Sequence, residues 1–218
     1  MKASVHNPLK LSFPEGTAFY AKRTYHHIGP PPEIAFPQPW NSLVARFLHG
    51  TWSLFRIRSP QGPLELQYGA SEGHRYVVID LDENDTVCFH HHSLVGFSGG
   101  VTLSTAITLQ LSAVSLGRMF FHLAKGPGLL VLDSHGEPQI IEDLRTEGAL
   151  PPARLLCWSK DTEFSLIGSQ SDPQVLLDSP LFFQLEKNRL VVIDAAHGAQ
   201  HKSSSVFSIL KKIYLPWL

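Results

Sequence analysis

Apolar and polar positions alternate with a period of two along much of this chain, which is the mark of half-buried strands. Leu64-Glu65-Leu66-Gln67-Tyr68 alternates cleanly, and Tyr76–Leu81 is an apolar run, broken only at Asp80, rich in β-branched residues. That run stops at Asp82-Glu83-Asn84-Asp85, a turn-forming cluster, and a strand resumes at Thr86–Phe89. Val101–Leu111 places Val101, Leu103, Ile107, Leu109 and Leu111 on one face. Gly126-Pro127-Gly128 suits a type II turn joining Phe120–Leu123 to Leu129–Leu132. Short strands with turn signals between them predict an all-β fold of sandwich, jelly-roll or barrel type. The period changes to a helical one only at the end. Val206, Phe207, Leu210, Ile213 and Tyr214 share a helical face, Ser203 or Ser204 can cap it, and Pro216 stops it.

The pattern also recurs. Phe120–Gly136 and Phe182–Gly198 are nearly the same segment, and Leu94–Ser98 with Val101–Leu103 matches Leu155–Ser159 with Phe164–Leu166. The offsets are 61 (Leu94 to Leu155) and 62 (Phe120 to Phe182). Motifs far apart that keep one spacing predict a supersecondary unit built more than once and packed on itself. An incomplete third copy is read at Leu54–Ile57 and Pro60–Leu66. The expected organisation is a proline-rich N-terminal arm over residues 1–50, packed on a duplicated β domain over residues 51–218. Its copies span about residues 94–155 and 156–202. Pro30-Pro31-Pro32, Pro37 and Pro39 make the arm extended, with Phe36 and Trp40 seeking burial on a sheet or a neighbouring subunit. A short helix is expected at Asn41–His49.

Composition narrows the functional classes. A formal net charge of −1 gives no basic excess for gripping nucleic acid or an anionic membrane. Charged residues are only 17% of the chain, below the usual quarter or so, which favours self-association. Cys88 and Cys157 stand alone, outside any metal or disulfide pattern, as buried thiols of a reducing compartment do. Residues 1–16 hold no signal-peptide run, and no segment is apolar for the ~20 residues that a bilayer span needs. A cytoplasmic protein is expected.

Candidate chemistry is sparse. Of the 12 histidines, His90-His91-His92 is the densest group. On a strand His90 and His92 would share a face, a spacing that suits two metal ligands, though Ser93–Val101 offers no third. Gly96-Phe97-Ser98-Gly99-Gly100 fits the nucleophile-elbow spacing, but Val101–Leu111 reads as strand, whereas an elbow needs a helix there. Asp133-Ser134-His135 contains triad residue types whose consecutive side chains cannot converge on one atom; it is read as a turn. Basic and aromatic residues mix at Lys22–His27 and Arg46–Arg58 without the density of an oligonucleotide groove.

The order Leu94–Ser98, Phe120–Leu123, Gly126–Leu132, Gly136, Leu155–Trp158 resembles the AIM (altered inheritance of mitochondria) family of mitochondrial-biogenesis proteins and their bacterial relatives. The match covers about residues 64–200, and the chain departs from the pattern at Asn188-Arg189 and in its first 50 residues. The resemblance implies a duplicated all-β fold similar to the tryptophan RNA-binding attenuation protein, assembly into rings or trimers, and no established enzymatic activity. In mitochondria it implies a link to the organisation of inner-membrane complexes. The expectation is therefore a non-catalytic, self-associating scaffold with no cofactor. A small-ligand or metal-binding sandwich using His90 and His92 is the alternative, and RNA binding by fold analogy the second alternative.

Overall fold

The computed structural model describes residues 1–22, 26, 28–35, 54–59, 61–69, 73–107, 120–141, 154–167, 182–187 and 190–194. Among them the regular structure is antiparallel β, apart from a short 3-10 turn at His91–Ser93. The first strands are β1 (Lys2–His6), β2 (Leu9–Phe13), β3 (Ala18–Lys22), β4 (Pro32–Ala35), β5 (Leu54–Arg58) and β6 (Leu64–Tyr68). Then come β7 (Arg75–Leu81), β8 (Thr86–Phe89), β9 (Leu94–Ser98), β10 (Thr102–Ile107), β11 (Phe120–Lys125) and β12 (Gly128–Ser134). The last are β13 (Pro138–Ile141), β14 (Leu155–Ser159), β15 (Glu163–Ile167), β16 (Phe182–Lys187) and β17 (Val191–Asp194).

A seven-stranded sheet in the order β1-β7-β12-β9-β3-β5-β4 faces a six-stranded sheet in the order β10-β11-β8-β14-β17-β13. Between them lies the main core. Val77, Ile79, Leu81, Leu94, Phe97, Leu130 and Leu132 come from the first sheet; Val87, Phe89, Leu103, Leu156, Cys157 and Val192 come from the second. The other face of the seven-stranded sheet is covered as well. There the β2–β6 ribbon packs Leu9, Leu11, Phe13, Leu64, Leu66 and Tyr68 onto Phe19, Ile57, Tyr76, Val78, Val95 and Val131. Alternate residues of β7 and β12 thus enter two cores, which explains why Tyr76–Ile79 is apolar at every position.

Residues 2–22, expected to belong to a peripheral arm, supply three strands of this body. β1 pairs with β7, β2 with β6 and β3 with β9. Pro8 and Pro14 lie between those strands, so they punctuate without interrupting, and Leu9, Leu11 and Phe13 follow the strand period. Pro32–Ala35 is an edge strand on β5. Phe36, Trp40, the expected helix at residues 41–49 and the expected C-terminal helix over residues 206–214 lie outside the described residues.

Pairing recurs at the spacing of the motifs. β9 meets β12 through Leu130↔Phe97, Val131↔Gly96 and Leu132↔Leu94, with a register shift between Val131 and Leu132. β14 meets β17 through Val191↔Trp158, Val192↔Cys157 and Ile193↔Leu155, with the shift at the corresponding place. Every residue of the second set lies 61 positions after its counterpart. The second and third strands of each set also pair, β10 with β11 and β15 with β16. A third set with this connectivity is β1, β2, β6 and β7, in which β1 pairs with β7 and β2 with β6. It is not the Leu54–Ile57 segment expected from sequence, because β5 pairs with β3 and β4 instead. At the junction of β11 and β12 the Gly126–Pro127 bond is cis and Gly128 has φ +138°, and the two strands joined there lie in different sheets.

Gly96 marks the tightest place in the first set. A Cβ there would strike the Phe19 ring and stand 2.6 Å from the Tyr20 carbonyl oxygen. In the second set Cys157, also buried, occupies the matching position, so the restriction comes from β3 rather than from the pairing itself. Gly96→Ala should lower stability by about 1–3 kcal/mol, read as a shifted midpoint in chemical denaturation. An unchanged midpoint would show that Phe19 moves aside freely.

Candidate functional site

The strongest gathering of chemically capable side chains lies where β7 begins and β12 ends. The antiparallel register sets Asp133 opposite Tyr76 and Ser134 opposite Arg75, which brings His74 and His135 side by side. Asp133 and His135 are two apart and share a face, whereas Ser134 points the other way and is fully buried. His74 Nδ1 lies 3.0 Å from Asp133 Oδ2 and 3.1 Å from Oδ1. The His74 and His135 rings meet edge to face with centroids 4.5 Å apart. One donor atom from each of His74, Asp133 and His135 falls within 4.8 Å of the others.

Burial is graded across the group. The Asp133 side chain is 4% exposed and that of His74 34%, while His135 is an exposed residue. The carboxylate therefore lies at the base and the imidazoles at the mouth. Behind them Tyr76 donates its hydroxyl to the Gly69 carbonyl at 3.3 Å. Burial first, and then the Asp133 charge, hold the Tyr76 phenol above its ordinary pKa. The His135 amide donates to Asp194 Oδ2 at 2.9 Å, which ties the end of β12 to β17 of the other sheet. At the rim Arg75 pairs with Glu137 at 2.8 Å.

The residues singled out from sequence take other places. His90 follows β8, and His92 lies in the 3-10 turn; they are not on a common strand. Their rings stack with centroids 5.6 Å apart, and His90 also meets the Trp158 ring edge to face. Among the described residues, the His74 group is where three residues able to ligate a metal converge; His90 and His92 are not part of it. The elbow-like Ser98 is buried, and its hydroxyl accepts the Leu129 amide at 2.9 Å. Its counterpart Ser159 bonds Thr162 Oγ1 at 2.8 Å. Both serines close the same turn, through Val101 N–H to the Ser98 carbonyl and Thr162 N–H to the Ser159 carbonyl, each 3.0 Å.

His74 and His135 are hard to single out from sequence for different reasons. Asp133 and His135 have the i, i+2 spacing of a strand face, but the glycine after them gives the segment the look of a turn. His74 lies 59 residues from Asp133, and its only signal is that it precedes His135 by the same 61 positions as the other motifs.

Residues 34–191 of the chain match the family described as Mitochondrial biogenesis AIM24. The chain belongs to this family. The match covers well over half of the sequence, including the β9–β12 set and most of the β14–β17 set. No curated protein sequence matches the chain. Its fold is similar to that of a Streptococcus pyogenes protein determined by X-ray crystallography in a structural-genomics effort. That similarity has a TM-score of 0.60 at 13% identity and covers 98% of this chain and 100% of the other. At that identity the likeness speaks for the fold alone. Among the described residues of this family member, no helix is long and apolar enough to cross a membrane.

Both thiols are buried, Cys157 between the two sheets and Cys88 on the other face of the six-stranded sheet among Leu155, Trp158, Val191 and Ile193. Burial pushes the Cys88 thiol up to about 12 and raises that of Cys157 as well. Neither should react with a thiol reagent in the native protein at about pH 8, and both should react once it is unfolded. Prompt labelling of native protein would show that one of them is accessible.

Proposed function

We propose that this member of the AIM24 family is a non-catalytic, self-associating assembly protein, built from related β units and working in the cytoplasm. The observation that supports this most is where the buried polar groups are directed. Ser98 Oγ bonds the Leu129 amide, Asp194 bonds the His135 amide, and Asp85 bonds the Asp82 amide. These groups satisfy backbone donors at strand ends and turns. A nucleophile needs instead an adjacent base and an open approach. Ser98 has a backbone partner, and a Cβ on Gly128 would collide with its hydroxyl.

Related units are supported by the recurring register and the shared shift in pairing at an offset of 61. Self-association is supported by the low charged fraction and by sheet edges. Among the described residues β4 and β10 end their sheets with one side of the ladder unpaired. Such edges are templates for pairing with another chain unless they are covered. RNA binding would rest on fold analogy alone, and a net charge of −1 adds nothing to it.

Size-exclusion chromatography with light scattering tests the reading. The expected result is a mass that is a whole multiple, two or more, of the 24.2 kDa chain at micromolar concentration. A strict monomer contradicts it.

A further inference from the structure

We propose that His74, Asp133 and His135 bind one divalent transition-metal ion of the imidazole-preferring kind, such as zinc or cobalt. The donor set points there first. Two imidazoles with one carboxylate suit borderline ions, whereas magnesium and calcium favour oxygen throughout.

Spacing points the same way. With metal–donor bonds of about 2.0–2.2 Å, neighbouring donors on one ion stand about 3.0–3.5 Å apart. His74 Nδ1 already stands 3.0 Å from Asp133 Oδ2, and the three donor atoms fit within 4.8 Å. His135 is exposed, so a small rotation of its ring closes the remaining gap. The His74–Asp133 pair supplies two donors, and the His135 ring, 4.5 Å from that of His74, supplies the third.

The gradient of burial completes the site. A carboxylate at the base supplies charge where water is scarce, and the imidazoles leave the mouth open for the ion to enter. Three protein ligands leave coordination positions for water. The ion would join the start of β7 to the end of β12. Through the His135 amide and Asp194 it would also reinforce the link to β17 in the facing sheet. Its role would be that of a clasp at the meeting point of three strands.

The test uses the full chain, made without a metal-affinity tag and stripped with a chelator, then titrated with Zn²⁺ alone and with Co²⁺ alone. One equivalent should bind per chain, cobalt should give visible ligand-field bands, and zinc should raise the thermal midpoint. His135→Ala alters an exposed residue, so the fold should persist, as circular dichroism can check. That variant and His74→Gln should each weaken zinc binding about tenfold or more and abolish the thermal shift. Asp133→Asn should do the same; if it unfolds, the two histidine variants carry the test. The double variant His90→Ala/His92→Ala should bind as the parent does. Absence of stoichiometric binding, parental affinity in His74→Gln and His135→Ala, or loss of binding in the His90/His92 variant would each overturn the proposal.

Discussion

Burial of both faces of β7, β9 and β12 is the constraint on which the rest of the structure depends. Val77, Ile79, Leu94, Leu130 and Leu132 enter the core between the sheets, while Tyr76, Val78, Val95 and Val131 enter the core beneath the β2–β6 ribbon. A strand whose central residues are buried on both faces cannot slip by one residue, because those side chains would change cores. The requirement accounts for Gly96, which lets Phe19 of β3 lie against β9. It accounts for Ser98, whose buried hydroxyl satisfies the Leu129 amide at the start of β12.

The candidate site grows out of the same arrangement. β12 carries its apolar alternation toward the ribbon through Leu129 and Val131. At the edge of that core the same face continues with Asp133 and His135. Where the apolar cover thins, a carboxylate can remain buried against His74 while His135 meets solvent. The group is thus the polar rim of the second core. Asp194, 61 positions after Asp133, stands at the end of β17, but its carboxylate accepts the His135 amide. Corresponding positions therefore carry different duties: one acidic residue faces a histidine ring, the other fixes a backbone.

Much of the fold is legible in the chain because strands buried on one or both faces write their period directly into it. The motif spacing anticipates the register that β9–β12 and β14–β17 share, since identical registers require nearly identical spacing. The first 22 residues are less legible. Pro30-Pro31-Pro32, Pro37 and Pro39 give residues 1–50 the look of an arm, but residues 2–22 precede them, and Pro8 and Pro14 fall between strands, where they disturb neither ladder. The third set is obscured because β3, β4 and β5 are inserted between its second and third strands, which spoils the constant offset. The site is the least legible. His74 and Asp133 meet only because β7 and β12 are neighbours, and nothing local to either residue reports that pairing.

Native-state amide hydrogen exchange, resolved by residue, tests the double-burial account most directly. Amides of residues 77–81, 94–97 and 130–133 should be the slowest in the protein and should exchange only through global unfolding, while those of β1 and β4 exchange by local opening. If the central strands exchanged as fast as the edges, burial on two faces would not be what holds this fold together.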